Sequence, residues 1–439
     1  MPFQLDPTFA QDPAKHFDTL QIHAGLEPDP TTGAAALPIY ASAAFQFDSA
    51  PDAAAKFALS KPGNVYGRLT NTTTDAVAAR VAAIEGATGA VAVASGHAAE
   101  ILALTNIVGA GDHIVASDSL YGGTWNIFLH TLGDLGVETT FVENNDIDAF
   151  VAATKENTKL WYVETIGNPL VDVADVPAFV EAANSLKEPV PVFVDNTFAT
   201  PYLYRPADDG AAVVIESLTK WIGGHGATLG GAVIDTGKFD WKQTPGKFPT
   251  LTEPDPSYHG LVFADAAPAA PFSTRVLANK LRDFGPTLSP YAAQLIGIGI
   301  ETLSLRAQRH SDNALAVAKY LESHPKVSWV RYSGLENDPS HEVASRILHN
   351  GFGGVVVFGV KGGRDAGLKV VDNVKLFTHL ANVGDAKSLI IHPASTTHSQ
   401  LTPEQLKAAH LTEDLIRLSV GIENVDDIIA DLDQALENA

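Results

Sequence analysis

Apolar residues fall along this chain in two alternating patterns. From residue 71 to about 235, short unbroken runs rich in Val, Ile, Phe and Ala are separated by longer alanine-rich stretches. The runs at 90–94, 113–116, 160–164, 192–197 and 213–215 have no polar alternation, which predicts strands covered on both faces. The stretches at 74–85, at 98–107 and from Tyr121 through 131 predict helices, the first ended by Gly86 and Gly89. Strands alternating with helices imply an α/β fold, a mostly parallel sheet with helices on both faces. Ligands in such folds gather at the carboxyl ends of the strands. Ser95, Glu164, Asp195 and Ser217 all fall at such ends.

The flanks read differently. Residues 1 to about 60 show weak periodicity broken by Pro28, Pro30, Gly33 and Pro38, as expected of an extended arm that crosses a neighbouring subunit or stays mobile. Residues 236–272 are irregular and rich in Pro, Lys and aromatics, a loop insertion with a functional role or little order. Helices are predicted at 277–284 and, as one long linking element, at 292–321. Strands at 327–330 and 353–358 and helices near 365–381 and 424–437 make a smaller α+β unit. The expected division is an arm over 1–70, a large domain over 71–290 and a C-terminal domain over 291–439. The glycines of 351–363 lead into a strand where a dinucleotide fingerprint requires a helix, so they do not signal that cofactor.

Composition narrows the functional classes. A formal net charge of -22 disfavours nucleic acid and anionic membranes, both of which need clustered Lys and Arg. No apolar run is long enough to span a bilayer and Met1-Pro2-Phe3-Gln4 lacks a basic leader, so the expected location is cytoplasmic. There is no cysteine, and Met1 is the only methionine. That removes disulfides, thiolate metal sites and a cysteine nucleophile. His392 and His398 lack further ligands nearby, so no metal is expected.

One stretch concentrates the candidate chemistry. In 213–226 an apolar β-branched run delivers Ser217, Thr219 and Lys220 and then breaks into glycines. A strand-end lysine can form a Schiff base with a carbonyl, and two hydroxyls beside it can bind one phosphate. Pyridoxal phosphate has both groups. Alone, the stretch reads equally well as a surface turn with a solvated lysine. Asp195, at the end of an apolar run about 25 residues earlier, alters the balance, because a carboxylate there can keep a pyridine nitrogen protonated. The Ser95-Gly96-His97 turn between a strand and a helix aims backbone amides as an anion site does, although an ordinary βα turn has the same pattern. Tyr121 can cover a flat ring or pack in the core. Tyr66 and Arg68, two apart on an extended segment, point the same way and can both reach a phosphate. Arg417 lies in an apolar run where a guanidinium without an acidic partner is costly, which suggests that it grips a carboxylate.

Together and in order along nearly the whole chain, these residues resemble the Cys/Met metabolism family of pyridoxal-phosphate enzymes, of fold type I. The resemblance implies pyridoxal 5'-phosphate as cofactor and a role for each matched residue. Tyr66 and Arg68 would bind phosphate across a subunit boundary, the turn of Ser95, Gly96 and His97 would supply amides, and Tyr121 would stack on the ring and serve as a secondary proton carrier. Asn168 would lie near the ring oxygen and the substrate, Asp195 at the ring nitrogen, Ser217 and Thr219 on the phosphate, and Lys220 at the carbonyl carbon. Ser388 and Arg417 would hold the substrate carboxylate. Many relatives have Ser-Gly-Met where this chain has Ser95-Gly96-His97, a change that keeps the backbone role. Within the family, Tyr258-His259-Gly260 and the segment from Gly384 to His398 are similar to the O-acetylhomoserine sulfhydrylase branch. The implied reaction joins O-acetyl-L-homoserine to sulfide or a thiol, with the protein a homo-oligomer, a tetramer built as a dimer of dimers. Cystathionine γ-synthase and methionine γ-lyase remain open on the same scaffold, though γ-lyases commonly carry a cysteine near the substrate. A non-catalytic relative is the alternative of another class.

Overall fold

The computed structural model describes residues 15–26, 28–396 and 411–439. Its larger sheet contains β1 (Gly89–Val93), β2 (His113–Ser117), β3 (Glu138–Val142), β4 (Thr158–Glu164), β5 (Val192–Asp195), β6 (Val213–Glu216) and β7 (Gly231–Asp235). The spatial order is β1-β7-β6-β5-β4-β2-β3. Strand β7 runs antiparallel to both β1 and β6, while the other pairs are parallel. The unbroken apolar runs have their expected cause. Val163, Val194 and Val214 belong to one core, and Tyr162, Phe193 and Val213 to a second on the other side of the sheet.

A five-stranded sheet follows, ordered β10-β11-β12-β9-β8. Its strands are β8 (Val327–Arg331), β9 (Val355–Val360), β10 (Thr378–His379), β11 (Leu389–Ile391) and β12 (Leu415–Ser419). The helices Gly363–Asn373 and Val425–Glu437 pack with it around a third core of Val356, Phe358, Leu418 and Leu432. The chain is thus a mostly parallel α/β sheet with a smaller α+β unit, as its patterning implies.

Four expectations are corrected. The element predicted over 292–321 is two helices, Pro290–Ile300 and Leu303–Ser323. At the break, the Arg306 guanidinium donates to the carbonyls of Trp221 at 2.6 Å and Gly299 at 2.6 Å, and a Cβ on Gly299 would lie 2.4 Å from the Gly223 carbonyl oxygen. The join between the two helices is therefore fastened to the loop that follows Lys220. The segment 236–272 is not a loose loop. It forms the short helices Pro249–Thr252 and Phe263–Ala266, and Phe239, Trp241, Phe248 and Phe263 enter the second core. The helix expected over 277–284 begins at Pro271 and widens to π geometry over Val276–Leu281. The helix near 365–381 stops at Asn373, and β10 follows. Strands β3 and β7 are not among the predicted elements. The first is a partly exposed edge strand, the second a five-residue run opened by glycine.

Candidate active site

Strand register builds the site. Glu164 pairs with Asp195 and Asp195 with Ile215, so both carboxyls point to the face covered by the Gly96–Ile107 helix. Thr197 donates its backbone N–H to Asp195 Oδ1 at 2.9 Å. Burial raises the Asp195 carboxyl above its usual range, against the pull of hydrogen bonds from Thr197. Glu164 is raised further by burial and by Asp195, while its Oε1 accepts the Tyr121 amide at 2.7 Å. Glu100, in the covering helix, is pushed up to about 8 by burial and Asp195. Among the described residues Asp195 has no ion-pair partner, so a cationic group placed there would meet an unneutralised carboxylate.

Lys220 follows β6 in the turn closed by Gly223 and Gly224. Its Nζ donates to Asn382 Oδ1 at 2.7 Å. Burial, and then the charge of Arg417, lower its amine to about 8. Arg417 sits in β12 with 6% exposure and donates to Asn168 Oδ1 at 3.2 Å. Burial lowers the guanidinium to about 10, and no carboxylate among the described residues pairs with it. Tyr121, at the head of the Gly122–Asn126 helix, places its ring 5.5 Å from that of His97. Gly123 allows this, since a Cβ there would lie 2.4 Å from His97 Nε2 and 2.5 Å from Tyr121 Cε1.

The Gly96–Ile107 helix opens beside Ser217. A Cβ on Gly96 would lie 2.8 Å from Ser217 Cβ, so only glycine lets the helix start and the β6 end approach this closely. Ser95 spends its hydroxyl as the helix cap, accepting from Ala98 N–H at 3.1 Å. The amides of Gly96 and His97 belong to the first turn of that helix, and the Ser217 side chain lies beside them. Thr219 Oγ1 exchanges hydrogen bonds with Gly230 at 3.0 and 3.1 Å.

Three expected residues lie apart from this cluster. Tyr66 is 44% exposed, and Arg68 stacks 5.5 Å from its ring while donating to the Arg282 carbonyl. Ser388 is buried, with its hydroxyl donating to Glu423 at 2.9 Å and accepting from Gly421 N–H at 2.8 Å. Those bonds engage a half-buried glutamate and tie the start of β11 to the turn after β12. His392 Nε2 bonds the Glu413 carbonyl at 2.9 Å, and no group of metal-holding side chains occurs among the described residues. His398 lies outside those residues. Asn382 and Glu100 are the residues that sequence reasoning missed. Asn382 carries no spacing signal, whereas Glu100 could have been noticed as one acid inside an apolar helix.

The cluster fits pyridoxal phosphate on its own chemistry. It offers a lysine of lowered basicity, an unneutralised carboxylate for a pyridinium, a glycine-lined helix start for a phosphate and an unpaired guanidinium for a substrate carboxylate. The comparisons agree. The family model described as Cys/Met metabolism PLP-dependent enzyme matches residues 18–437. A homocysteine synthase of Schizosaccharomyces pombe is 49% identical, with 97% of this chain and 99% of that one covered. An O-acetyl-L-homoserine sulfhydrylase of Corynebacterium glutamicum is 48% identical over 95% of this chain and 96% of its own. Among solved structures, a protein from Campylobacter jejuni described as an O-acetylhomoserine (thiol)-lyase superposes with a TM-score of 0.92. It is 39% identical, the match covers 96% of this chain and 100% of that one, and it carries a pyridoxyl-lysine phosphate. This chain belongs to the Cys/Met metabolism family of pyridoxal-phosphate-dependent enzymes.

Proposed function

We propose that the protein is an O-acetylhomoserine sulfhydrylase, converting O-acetyl-L-homoserine and sulfide to L-homocysteine and acetate. The carrying observation is the buried pair of Lys220 and Arg417, with Arg417 unneutralised and turned to Asn168. The names of the relatives at 48–49% identity supply the substrate. Asp195 would hold the ring nitrogen, Tyr121 the ring face, Asn168 the ring oxygen, and Gly96, His97 and Ser217 the phosphate, which Thr219 would join by turning its hydroxyl proton from the Gly230 carbonyl. Ser95 supports that end as the cap of the helix. Bound there, the cofactor supplies an electron sink for the carbon that carries the substrate amine.

The chain's own residues do the rest. Arg417 and Asn168 fix the substrate carboxylate, which aims the α hydrogen at Lys220. With an amine at about 8, roughly a tenth of Lys220 is neutral at pH 7 and able to take that proton. A second proton leaves the β carbon, acetate departs from the γ carbon with its bonding pair, sulfide bonds there in its place, and Lys220 returns both protons, with Tyr121 as the secondary carrier. Asp195 keeps its charge opposite the ring throughout. The α-proton step should slow as pH falls below about 8, approaching tenfold per pH unit, because Lys220 is then increasingly protonated. Removing Asn382, an acceptor that favours the ammonium form, should move that acid limb down by about one pH unit with little change in KM. Rate profiles of Asn382→Ala against wild type test this.

The arm (1–70), cofactor domain (71–290) and C-terminal domain (291–439) fit this reading. So does a cytoplasmic homo-oligomer, a tetramer made of two dimers. Tyr291, Leu295 and Ile298 form an exposed apolar stripe on one helix, the kind of face a second copy covers. Tyr66 and Arg68 would complete a partner's phosphate site. Mixing inactive Lys220→Ala with inactive Arg68→Ala subunits should then restore activity in mixed oligomers. The deciding assay supplies O-acetylhomoserine with sulfide, methanethiol or cysteine. Homocysteine from sulfide is expected. Cystathionine as the preferred product, or a 2-oxo acid formed without any thiol, would replace the sulfhydrylase reading by a synthase or a γ-lyase.

A further inference from the structure

The face of the sheet opposite Asp195 carries its own polar ladder. Because Glu164, Asp195 and Ile215 share one face, the next residues along, Thr165, Asn196 and Glu216, point to the other. All three are 0% exposed, as is Glu85, which ends the Thr72–Ile84 helix. Thr165 Oγ1 donates to Asn196 Oδ1 at 2.8 Å. Asn196 Nδ2 donates to the Tyr204 carbonyl at 2.9 Å and reaches Glu85 Oε1 at 3.3 Å. There the supply of donors ends. Glu85 Oε2 and both oxygens of Glu216 are buried with no donor among the described residues, and the two carboxyls face each other. Two ionised carboxylates in an apolar core repel with nothing to offset the desolvation, whereas a proton held between them removes one charge and bridges one oxygen of Glu216 to Glu85 Oε2, which leaves a single Glu216 oxygen without a donor among the described residues.

We propose that Glu85 and Glu216 share one proton as an acid–carboxylate pair, and that this pair is a positioning element that fixes the β6 end, with Ser217, against the β5 end, with Asp195. Glu216 directly precedes Ser217, and Asn196 directly follows Asp195, so a separation of the two carboxyls displaces both ends of the cofactor site. The surroundings favour the shared proton. Asp195 from β5 adds negative charge to Glu216. Arg205 draws Glu85 toward ionisation and Asp208 opposes it. The C-terminal end of the helix also disfavours a carboxylate at Glu85. Burial pushes Glu85 up to about 7 and Glu216 well above the usual range, the latter with help from Glu85.

The pair predicts a pH signature with a definite sign. Unfolded glutamates ionise near 4.5, whereas the folded pair keeps its proton to higher pH. Between those limits folding retains one proton, and the unfolding constant rises about tenfold per pH unit on that account. In Glu216→Gln the amide donates to an ionised Glu85, no proton is held, and this tenfold dependence disappears. Glu85→Gln should do the same from the other side.

The test is denaturant unfolding of the full chain without cofactor from pH 5.5 to 8, for wild type and both variants. It is paired with pyridoxal phosphate affinity over the same range, read from absorbance after dialysis. The expected result is a wild-type dependence steeper by about tenfold per pH unit than in either variant. The wild-type cofactor affinity should also weaken more toward alkaline pH. Equal slopes in all three proteins overturn the shared proton. Different slopes with parallel affinity curves overturn the positioning role. That second arm rests on Ser217 as a phosphate contact. A wild type that binds no pyridoxal phosphate overturns that reading and the positioning role with it, and the unfolding slopes still decide the proton.

Discussion

Alanine at position 220 should reduce turnover by at least about 10⁴-fold and remove the visible absorbance of lysine-bound pyridoxal phosphate, while the chain stays folded. On the proposed mechanism Lys220 carries two tasks that no neighbour can assume, attachment of the cofactor and transfer of the α proton. Proton transfer alone is worth about 10²–10⁴ in rate, and the loss of attachment adds to it. The fold should tolerate the change because the side chain is a largely buried amine whose hydrogen bond among the described residues goes to Asn382. Losing that bond costs about 1 kcal/mol, against which stands the relief of a buried amine. The checks are absorbance of the cofactor-loaded variant, a turnover assay and circular dichroism. A variant that kept the absorbance and normal turnover would transfer both tasks to another residue.

Lys220, Asp195 and Arg417 were legible for one reason. Each is a charged group set in or at the end of an apolar run, where burial without a purpose is expensive. Gly96 was legible as a turn glycine, but its closeness to Ser217 was not, because that depends on β7 and β6 bringing distant segments together. The join at Glu301 and Thr302 escaped for a similar reason. The helical periodicity of 292–321 is unbroken, and what parts it is Arg306 reaching the carbonyls of a loop some eighty residues earlier. In 236–272 the prolines and lysines hid aromatics that pack as core, since neither helical nor strand spacing relates them. Asn382 faces Lys220 only through the placement of the second sheet. The meeting of Glu85 with Glu216 is likewise a product of topology, since either residue alone reads as a helix-end or strand-end acid on the surface.

Leucine at position 417 should move binding and stability in opposite directions. Arg417 is 6% exposed in the centre of β12, has no carboxylate partner among the described residues, and leans on the single amide oxygen of Asn168 at 3.2 Å. Such a charge costs several kcal/mol to bury, and replacing buried charge with a well-packed apolar side chain commonly stabilises a fold by about 1–4 kcal/mol. The free protein should therefore unfold at a higher denaturant concentration in Arg417→Leu than in wild type. Substrate binding should suffer instead, because a buried charge-assisted contact to a carboxylate is worth about 2–5 kcal/mol, a rise in KM on the order of 10²-fold. A third effect follows from position. The charge of Arg417 is one of the two causes that hold Lys220 down at about 8, so its loss should raise the lysine and shift the acid limb of the rate profile to higher pH. That shift is opposite in sign to the one expected for Asn382→Ala. Unfolding curves, KM and pH profiles of the two variants check all three effects. A destabilised Arg417→Leu with unchanged KM would make Arg417 a support of the sheet and leave the substrate carboxylate without a partner.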